Sequence, residues 1–157
     1  MRERSGREKR VKRNYFEYFS SAYSLIFFFV SPLKTSILYN TRLTLPDTGN
    51  VAREWLDGAF PPGTHFAVER HAPVPNRKKY KVMQEARIIR KALRSYRELG
   101  VEYMVASSQV YERFGPEHRI SKAYERVFGA CPLVKEFEPV EGELQGPTIR
   151  VLKIPPG

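Results

Sequence analysis

Residues that bind metals or form cross-links are scarce in this sequence. There is one cysteine among 157 residues, Cys131, which excludes an internal disulfide and any site built from several cysteines. We interpret it as a small buried hydrophobe. The three histidines, His65, His71 and His118, do not have metal-ligand spacing, and we interpret them as solvated loop residues. The sequence therefore predicts no bound metal.

The short motifs of nucleotide and acyl chemistry are absent as well. There is no G-x-x-x-x-G-K-[ST] or G-x-G-x-x-G loop, so nucleotide binding has no support and no cofactor is predicted. There is no G-x-S-x-G elbow, which leaves little basis for a hydrolase. Ser107 and Ser108 do lie at the C-terminal end of a predicted strand, where open α/β sheets bind ligands. Helix capping is the simpler interpretation of Ser108.

Acidic residues are few compared with basic ones. The chain has 27 Lys and Arg against 17 Asp and Glu, a net charge of +10 at pH 7. Such a charge indicates an anionic partner, either nucleic acid or the headgroups of phospholipids. Residues 1–13 alone contain seven basic residues and two glutamates. Because a run of this kind cannot be buried, residues 1–17 are predicted to form a solvated basic tail.

Long apolar runs are almost absent, with one exception. Residues 18–33 carry no charge, but they fall just short of the roughly 17 residues at the lower limit of a spanning helix. Basic residues precede the run and tyrosines flank it, as in membrane helices. We favour a weak or truncated membrane anchor with its link over residues 18–40. A buried strand or an amphipathic helix of a soluble protein is the alternative, and the absence of a small-residue cleavage site disfavours a signal peptide.

Residues 41–157 alternate between helical and extended patterns. Asp47 or Thr48 is expected to cap a first helix, which Gly58 ends. Strands are predicted at residues 65–69 and 101–107, the second apolar on both faces as in a central parallel strand. These segments predict an α/β domain.

Two further helices and a hairpin complete this domain. One helix is predicted over residues 84–99 and another after Pro116. The segments "PLVKEFE" and "TIRVLKI" alternate apolar and polar residues, which indicates a closing antiparallel hairpin. The expected fold is α/β, with three layers, a mainly parallel sheet, flanking helices and a C-terminal antiparallel hairpin, preceded by the short apolar N-terminal segment.

A strongly basic region lies near the middle of the chain. Ten basic residues and one acidic residue, Glu85, lie between Arg70 and Arg97. On the predicted helix, five of them would form one cationic stripe opposite the apolar face. The stripe is either an ordinary solvated face, a site for anionic headgroups or a lipid-linked phosphate, or a nucleic-acid surface. The candidate anion-binding residues are Arg77, Lys78, Lys79, Arg87, Arg90, Lys91, Arg94 and Arg97.

A second set of polar residues could line a pocket at the ends of the predicted strands. Asp47 and Glu69 could supply carboxylates to it, although an N-capping role is enough to explain Asp47. The candidate pocket residues are Asp47, Glu69, His71, Ser107, Ser108 and Tyr111.

Several short segments carry a resemblance to a known family. They are "LPDTGNVAREWL", "PPG", "FAVE", "YMVASSQVYERF" and "GPTIRVLKI". Together, over residues 45–154, they resemble the soluble C-terminal domain of integral-membrane glycosyltransferases that use polyprenyl-phosphate sugars. This group includes lipid A aminoarabinose transferases and protein O-mannosyltransferase-like proteins. The family has an arginine two residues after the aspartate, where this chain has Gly49, so no role of that arginine carries over.

The resemblance implies a membrane-anchored accessory domain outside the cytoplasm. The family's catalytic carboxylates lie in a multi-helix membrane half, so we expect a fragment, a split subunit or a stand-alone relative that is not catalytic alone. Whether the chain is an enzyme is left undecided. Its expected partners are anionic lipid headgroups and a multi-helix glycosyltransferase subunit. The positive-inside rule also places the N-terminus in the cytoplasm and the α/β domain outside. The alternative is a small cytoplasmic basic α/β protein that binds nucleic acid.

Overall fold

The computed structural model describes Leu33, Lys34, Ser36 and residues 45–157. The basic tail predicted for residues 1–17 lies outside these described residues, and so does nearly all of the apolar segment 18–40. Of that segment, Leu33, Lys34 and Ser36 are helical. None of the helices in the described part of the chain combines the length and apolar character needed to cross a membrane.

Helices and strands alternate through the unit Leu45–Gly157. In chain order they are α1 Thr48–Ala59, β1 His65–Glu69, β2 Lys81–Glu85, the 3-10 turn Ile88–Arg90, α2 Leu93–Glu98, β3 Tyr103–Ser107, α3 Ser108–Tyr111, α4 Arg119–Ala130, β4 Leu133–Phe137 and β5 Ile149–Lys153.

The five strands form one mixed sheet in the order β2–β1–β3–β5–β4. Strand β1 pairs in parallel with β2 and with β3, whereas β5 is antiparallel to both β3 and β4. The α/β fold and the closing antiparallel hairpin are thus confirmed, but the sheet is mixed, with two parallel and two antiparallel pairings. Strand β5 runs opposite to the other four strands and lies between β3 and β4, so both of its pairings are antiparallel.

Helix α1 covers one face of the sheet. The Asp47 side chain accepts a hydrogen bond of 2.8 Å from the backbone N–H of Gly49, so the predicted N-cap is confirmed. Ala52 and Leu56 on α1 are fully buried against apolar side chains of β1, β3 and β5, whereas Val51 is 37% exposed. The helix ends at Ala59, one residue beyond the expected Gly58.

Aromatic and apolar side chains of the remaining helices cover the opposite face. Tyr96 of α2 and Tyr124 of α4 are buried there with Met104 of β3. The Tyr96 hydroxyl donates a hydrogen bond of 3.0 Å to the carbonyl of Ile88, which fastens α2 to the 3-10 turn. The sheet therefore has a hydrophobic core on each side, as expected when helices flank both faces of an α/β sheet.

The helix predicted over residues 84–99 does not form. Lys81–Glu85 is instead strand β2, Ile88–Arg90 is a 3-10 turn, and α2 begins only at Leu93. The helical periodicity was misleading because tertiary contacts use the backbone groups that a helix would need. The backbone groups of β2 pair with one edge of β1. The N–H of Ile88 donates to the Glu69 carboxylate rather than to a helical carbonyl.

The packing of α1 predicts unequal costs for two truncations on the same helix. Leu56→Ala removes a fully buried side chain and should lower the free energy of unfolding by about 2–5 kcal/mol. Val51→Ala is the matched control, since Val51 is 37% exposed, and it should cost less than about 0.5 kcal/mol. Urea unfolding followed by circular dichroism measures both. Equal losses would contradict this orientation of α1.

Candidate anion-binding cleft

The order of the parallel strands creates a crevice at their carboxyl ends. The chain leaves β1 for β2 on one side and later returns across β1 to β3 on the other side. In open α/β sheets, the carboxyl ends of two strands that diverge in this way flank the usual ligand site. Here those ends are Glu69 of β1 and Ser107 of β3.

Glu69 is buried beneath this crevice and is bound by three different elements. Its side chain is almost fully buried, with the residue 1% exposed. One carboxylate oxygen accepts hydrogen bonds from the N–H of Ile88 (3.1 Å) and from the Tyr124 hydroxyl. The other accepts from the N–H of Ser107 at 3.1 Å. The carboxylate therefore joins the end of β1 to the 3-10 turn, to α4 and to the end of β3.

Burial and hydrogen bonding act in opposite directions on this carboxyl group. Loss of solvent raises the pKa of Glu69, while the bonds from Tyr124, Ser107 and Ile88 and the charge of Arg87 lower it, with a net increase. Burial and the hydrogen bond to Glu69 both raise the pKa of the Tyr124 hydroxyl. With its three donors and no solvent access, Glu69 acts as a structural tie between elements.

The chain makes a tight turn directly after Glu69. The N–H of Ala72 donates to the Glu69 carbonyl at 3.0 Å, and His71 inside the turn has a φ of 67°. This left-handed conformation is uncommon for a residue other than glycine, and such strain is concentrated at functional sites. The turn places Arg70 and His71 at the mouth of the crevice, where both are exposed.

A cleft of about 420 Å³ opens above this turn. Four of its eight lining residues are arginines, and no acidic residue is among the other four. We call it the arginine cleft. Its lining residues are Arg70, His71, Ala86, Arg87, Arg90, Val110, Arg113 and Phe114.

The arginines reach the cleft from three separate parts of the chain. Arg70 follows β1, Arg87 and Arg90 flank and end the 3-10 turn, and Arg113 follows α3. Within residues 45–157 none of these four side chains forms a salt bridge or a side-chain hydrogen bond. Their donors are available, and a planar guanidinium presents paired N–H groups that fit phosphate and carboxylate oxygens. The cleft is thus suited to an anion.

One of these guanidinium groups is held in place by aromatic contacts. The guanidinium carbon of Arg87 lies 5.2 Å from the centroid of the Phe114 ring. Phe114 stacks in turn on His118, with ring centroids 4.8 Å apart. The His118 Nδ1 accepts a hydrogen bond of 3.1 Å from the N–H of Ile120 and so caps α4. His118, interpreted from the sequence as a solvated loop residue, therefore has a structural role.

The structure separates the eight candidate anion-binding residues, including the five of the predicted stripe. Only Arg87 and Arg90 line the arginine cleft. Lys91 pairs with Glu85, Arg94 with Glu98, and Arg97 donates to the Pro155 carbonyl at 2.8 Å. Lys79 donates to the carbonyl of Asp57 at 2.7 Å, whereas Arg77 and Lys78 line a second groove on the other side of His71. The continuous stripe was wrong because its helix is interrupted.

The six candidate pocket residues do not converge on one site either. His71 lies in the arginine cleft, and Asp47 lines the second groove. The Ser108 hydroxyl accepts a 3.0 Å hydrogen bond from the N–H of Thr148, while the buried Ser107 hydroxyl has no hydrogen-bond partner among the described residues. Glu69 is the buried tie described above.

Tyr111, the sixth candidate, packs away from the arginine cleft. The guanidinium carbon of Arg150 lies 5.5 Å from its ring centroid and 4.9 Å from that of Phe128. The Tyr111 hydroxyl is buried without a hydrogen-bond partner among the described residues, and burial raises its pKa to about 12. Glu136 accepts a 2.5 Å hydrogen bond from Arg150 and closes this cluster.

Three residues of the cleft, Arg70, Arg113 and Phe114, were not among the candidates predicted from the sequence. Arg70 carried a usable signal, since it directly follows a strand predicted correctly at His65–Glu69. Arg113 and Phe114 carried none, because only the turn after α3 brings them beside Arg87. No group of three or more His, Cys, Asp or Glu side chains within the described residues could hold a metal ion.

Comparisons with known proteins add nothing to this geometry, since no family model, curated protein or solved structure matches the chain.

The bond between Tyr124 and Glu69 predicts a pH-dependent loss of stability. Because folding raises the pKa of Glu69, the contribution of this residue to stability is complete below its unfolded pKa of about 4.3. That contribution is lost as pH rises through the folded pKa. Tyr124→Phe removes a donor that lowers this pKa, so the carboxylate becomes costlier to ionise. The variant should lose about 1.5–3 kcal/mol of unfolding free energy at pH 7 and less at pH 4.

Tyr111→Phe is the control, because the hydroxyl it removes has no partner among the described residues. It should not lower the unfolding free energy at either pH, because a buried hydroxyl without a partner itself costs about 1–3 kcal/mol. Thermal and urea unfolding measured at pH 4 and pH 7 give the comparison. A Tyr124→Phe loss independent of pH would show that the bond does not act on the ionised carboxylate.

Proposed function

We propose that this chain is a membrane-anchored, extracytoplasmic accessory domain that binds a lipid-linked phosphate in the arginine cleft. The observation that carries the proposal is the convergence of four arginines, without an acidic residue, at the diverging carboxyl ends of β1 and β3. A phosphate group offers oxygens that several guanidinium groups can bind at once. The resemblance to the C-terminal domain of lipid-linked-sugar glycosyltransferases suggests the lipid.

The chemistry of the cleft favours binding rather than catalysis. The carboxylate beneath it, that of Glu69, is buried, and its oxygens accept three hydrogen bonds. A general base must be within reach of the proton that it removes, and Glu69 has no path to the cleft. We therefore propose an accessory role beside a multi-helix glycosyltransferase subunit, in which this chain holds an anionic group and the subunit supplies the reacting carboxylates.

The binding proposal predicts a specific loss when the cleft loses charge. Arg87→Gln/Arg90→Gln should weaken binding of a short-chain isoprenyl phosphate by at least about tenfold, since a hydrogen bond to a charged group contributes about 1.5–3 kcal/mol. The full chain in uncharged detergent micelles can be titrated calorimetrically at low ionic strength. Wild-type binding should fade as salt rises through about 0.15 M.

The control removes two positive charges elsewhere. Arg94 and Arg126 are exposed, lie on α2 and α4, and do not line the arginine cleft. Arg94→Gln/Arg126→Gln should change the affinity by less than about threefold, because it acts only through the screened field of the surface. Equal weakening by both pairs would refute the cleft as the site. Tighter binding of an oligonucleotide than of the isoprenyl phosphate would favour the nucleic-acid alternative instead.

Localisation is tested separately from binding. The proposal places the residues after the apolar segment outside the cytoplasm, so alkaline phosphatase fused after Gly157 should be active in intact cells. A green fluorescent protein fused at the same position should be dark if it is exported unfolded. The reverse pattern would place the α/β domain in the cytoplasm and refute the extracytoplasmic part of the proposal.

A further inference from the structure

A second groove adjoins the arginine cleft and shares one wall with it. The groove has a volume of about 620 Å³, and His71 lines both cavities. Its other walls are the first turns of α1 and the loop that follows the turn at His71. Its lining residues are Asp47, Gly49, Asn50, Arg53, His71, Ala72, Pro73, Val74, Pro75, Asn76, Arg77 and Lys78.

The second groove is also cationic. Arg53, Arg77 and Lys78 line it, against one carboxylate, that of Asp47. Asp47 is engaged as the N-cap of α1, where its side chain accepts from the N–H of Gly49. Arg53 and Lys78 form no salt bridge or side-chain hydrogen bond within the described residues, and Arg77 donates only to the neutral Gln84 at 2.8 Å. All three positive charges are therefore available to a ligand.

Hydrogen bonds tie the loop that lines the groove, and the residues after it, to the C-terminal end of α1. The Asp57 side chain on α1 accepts a 2.7 Å hydrogen bond from the N–H of Asn76 in the loop. The Asp57 carbonyl accepts from Lys79 at 2.7 Å and from the Tyr80 hydroxyl at 3.1 Å. Pro73 and Pro75 restrict the backbone between these points. A groove fixed in this way needs little ordering when it binds a ligand, which favours affinity.

We infer that the arginine cleft and the second groove together take one ligand that carries two separated anionic groups, with His71 between them. This rests on the proposed function and narrows its ligand class from a phosphate to a bis-phosphate. One phosphate lies among the four arginines, and the second lies near Arg53, Arg77 and Lys78. Once the first phosphate is bound, the second is held at a high effective concentration beside its own site, so a ligand of matching span gains affinity without any change in either site.

Alkanediol bis-phosphates of increasing chain length test this inference against inorganic phosphate. In calorimetric titrations of the full chain in uncharged micelles, the best-matched bis-phosphate should bind at least about tenfold more tightly than inorganic phosphate, and shorter or longer members should bind less well. Arg53→Gln/Arg77→Gln should remove that gain and leave the inorganic phosphate affinity within about twofold. Arg87→Gln/Arg90→Gln should weaken both ligands, and Arg94→Gln/Arg126→Gln should spare both.

Two results would overturn the inference alone. In the first, inorganic phosphate binds in the arginine cleft, but no bis-phosphate binds more than about twofold more tightly. A twofold gain is expected on statistical grounds alone, because a bis-phosphate has two equivalent groups that can bind. The other is a gain that survives Arg53→Gln/Arg77→Gln, since the second phosphate would then lie elsewhere. Failure of both inorganic phosphate and every bis-phosphate to bind would overturn the proposed function together with the inference.

Discussion

The hydrogen bonding of one buried carboxylate determines how this domain is assembled. Glu69 accepts bonds from Ile88, Ser107 and Tyr124, which belong to three elements far apart in the sequence. A buried carboxylate without such donors would cost several kcal/mol. Losing any one of these bonds would therefore be unfavourable, because it would leave a buried carboxylate oxygen with too few donors. The end of β1 is thereby tied to the end of β3, to the 3-10 turn and to α4, and the crevice between the parallel strands acquires a rigid floor.

The arginine cleft follows from this arrangement. Because the N–H of Ile88 is bound to Glu69, the backbone turns at residues 88–90 and holds Arg87 and Arg90 above the end of β1. The α3 turn brings Phe114 to Arg87 from the other side. Four like charges in one cleft repel one another, while burial raises the pKa of the Glu69 carboxyl beneath them and the charge of Arg87 lowers it. An anion in the cleft would offset that repulsion.

The net charge of the chain and the local arrangement of its basic side chains have different consequences. The net charge of +10 is a property of the whole chain and attracts any anion over a range set by ionic strength. Local geometry separates the basic side chains, because only some of them converge while others are engaged by Glu85, Glu98 or the Pro155 carbonyl. His71 stands where the two cationic cavities meet, in a backbone conformation that few residues adopt. The loops after the parallel strands thus determine where the unpaired cationic side chains converge.

Local patterns were enough to predict the α/β class, the strand His65–Glu69, the Asp47 cap and the hairpin of β4 and β5, because each depends on periodicity or on neighbouring residues. It also showed the excess of basic charge between Arg70 and Arg97. Residues 84–99 could not be assigned from local patterns: they are not one continuous helix, because backbone groups before α2 have their partners in β1 and in the Glu69 side chain. The arginine cleft depends on this interruption of the helix. In a continuous helix, Arg87 and Arg90 would lie along a stripe instead of joining Arg70 and Arg113. Side chains distant in sequence can meet only where the folded backbone brings them together.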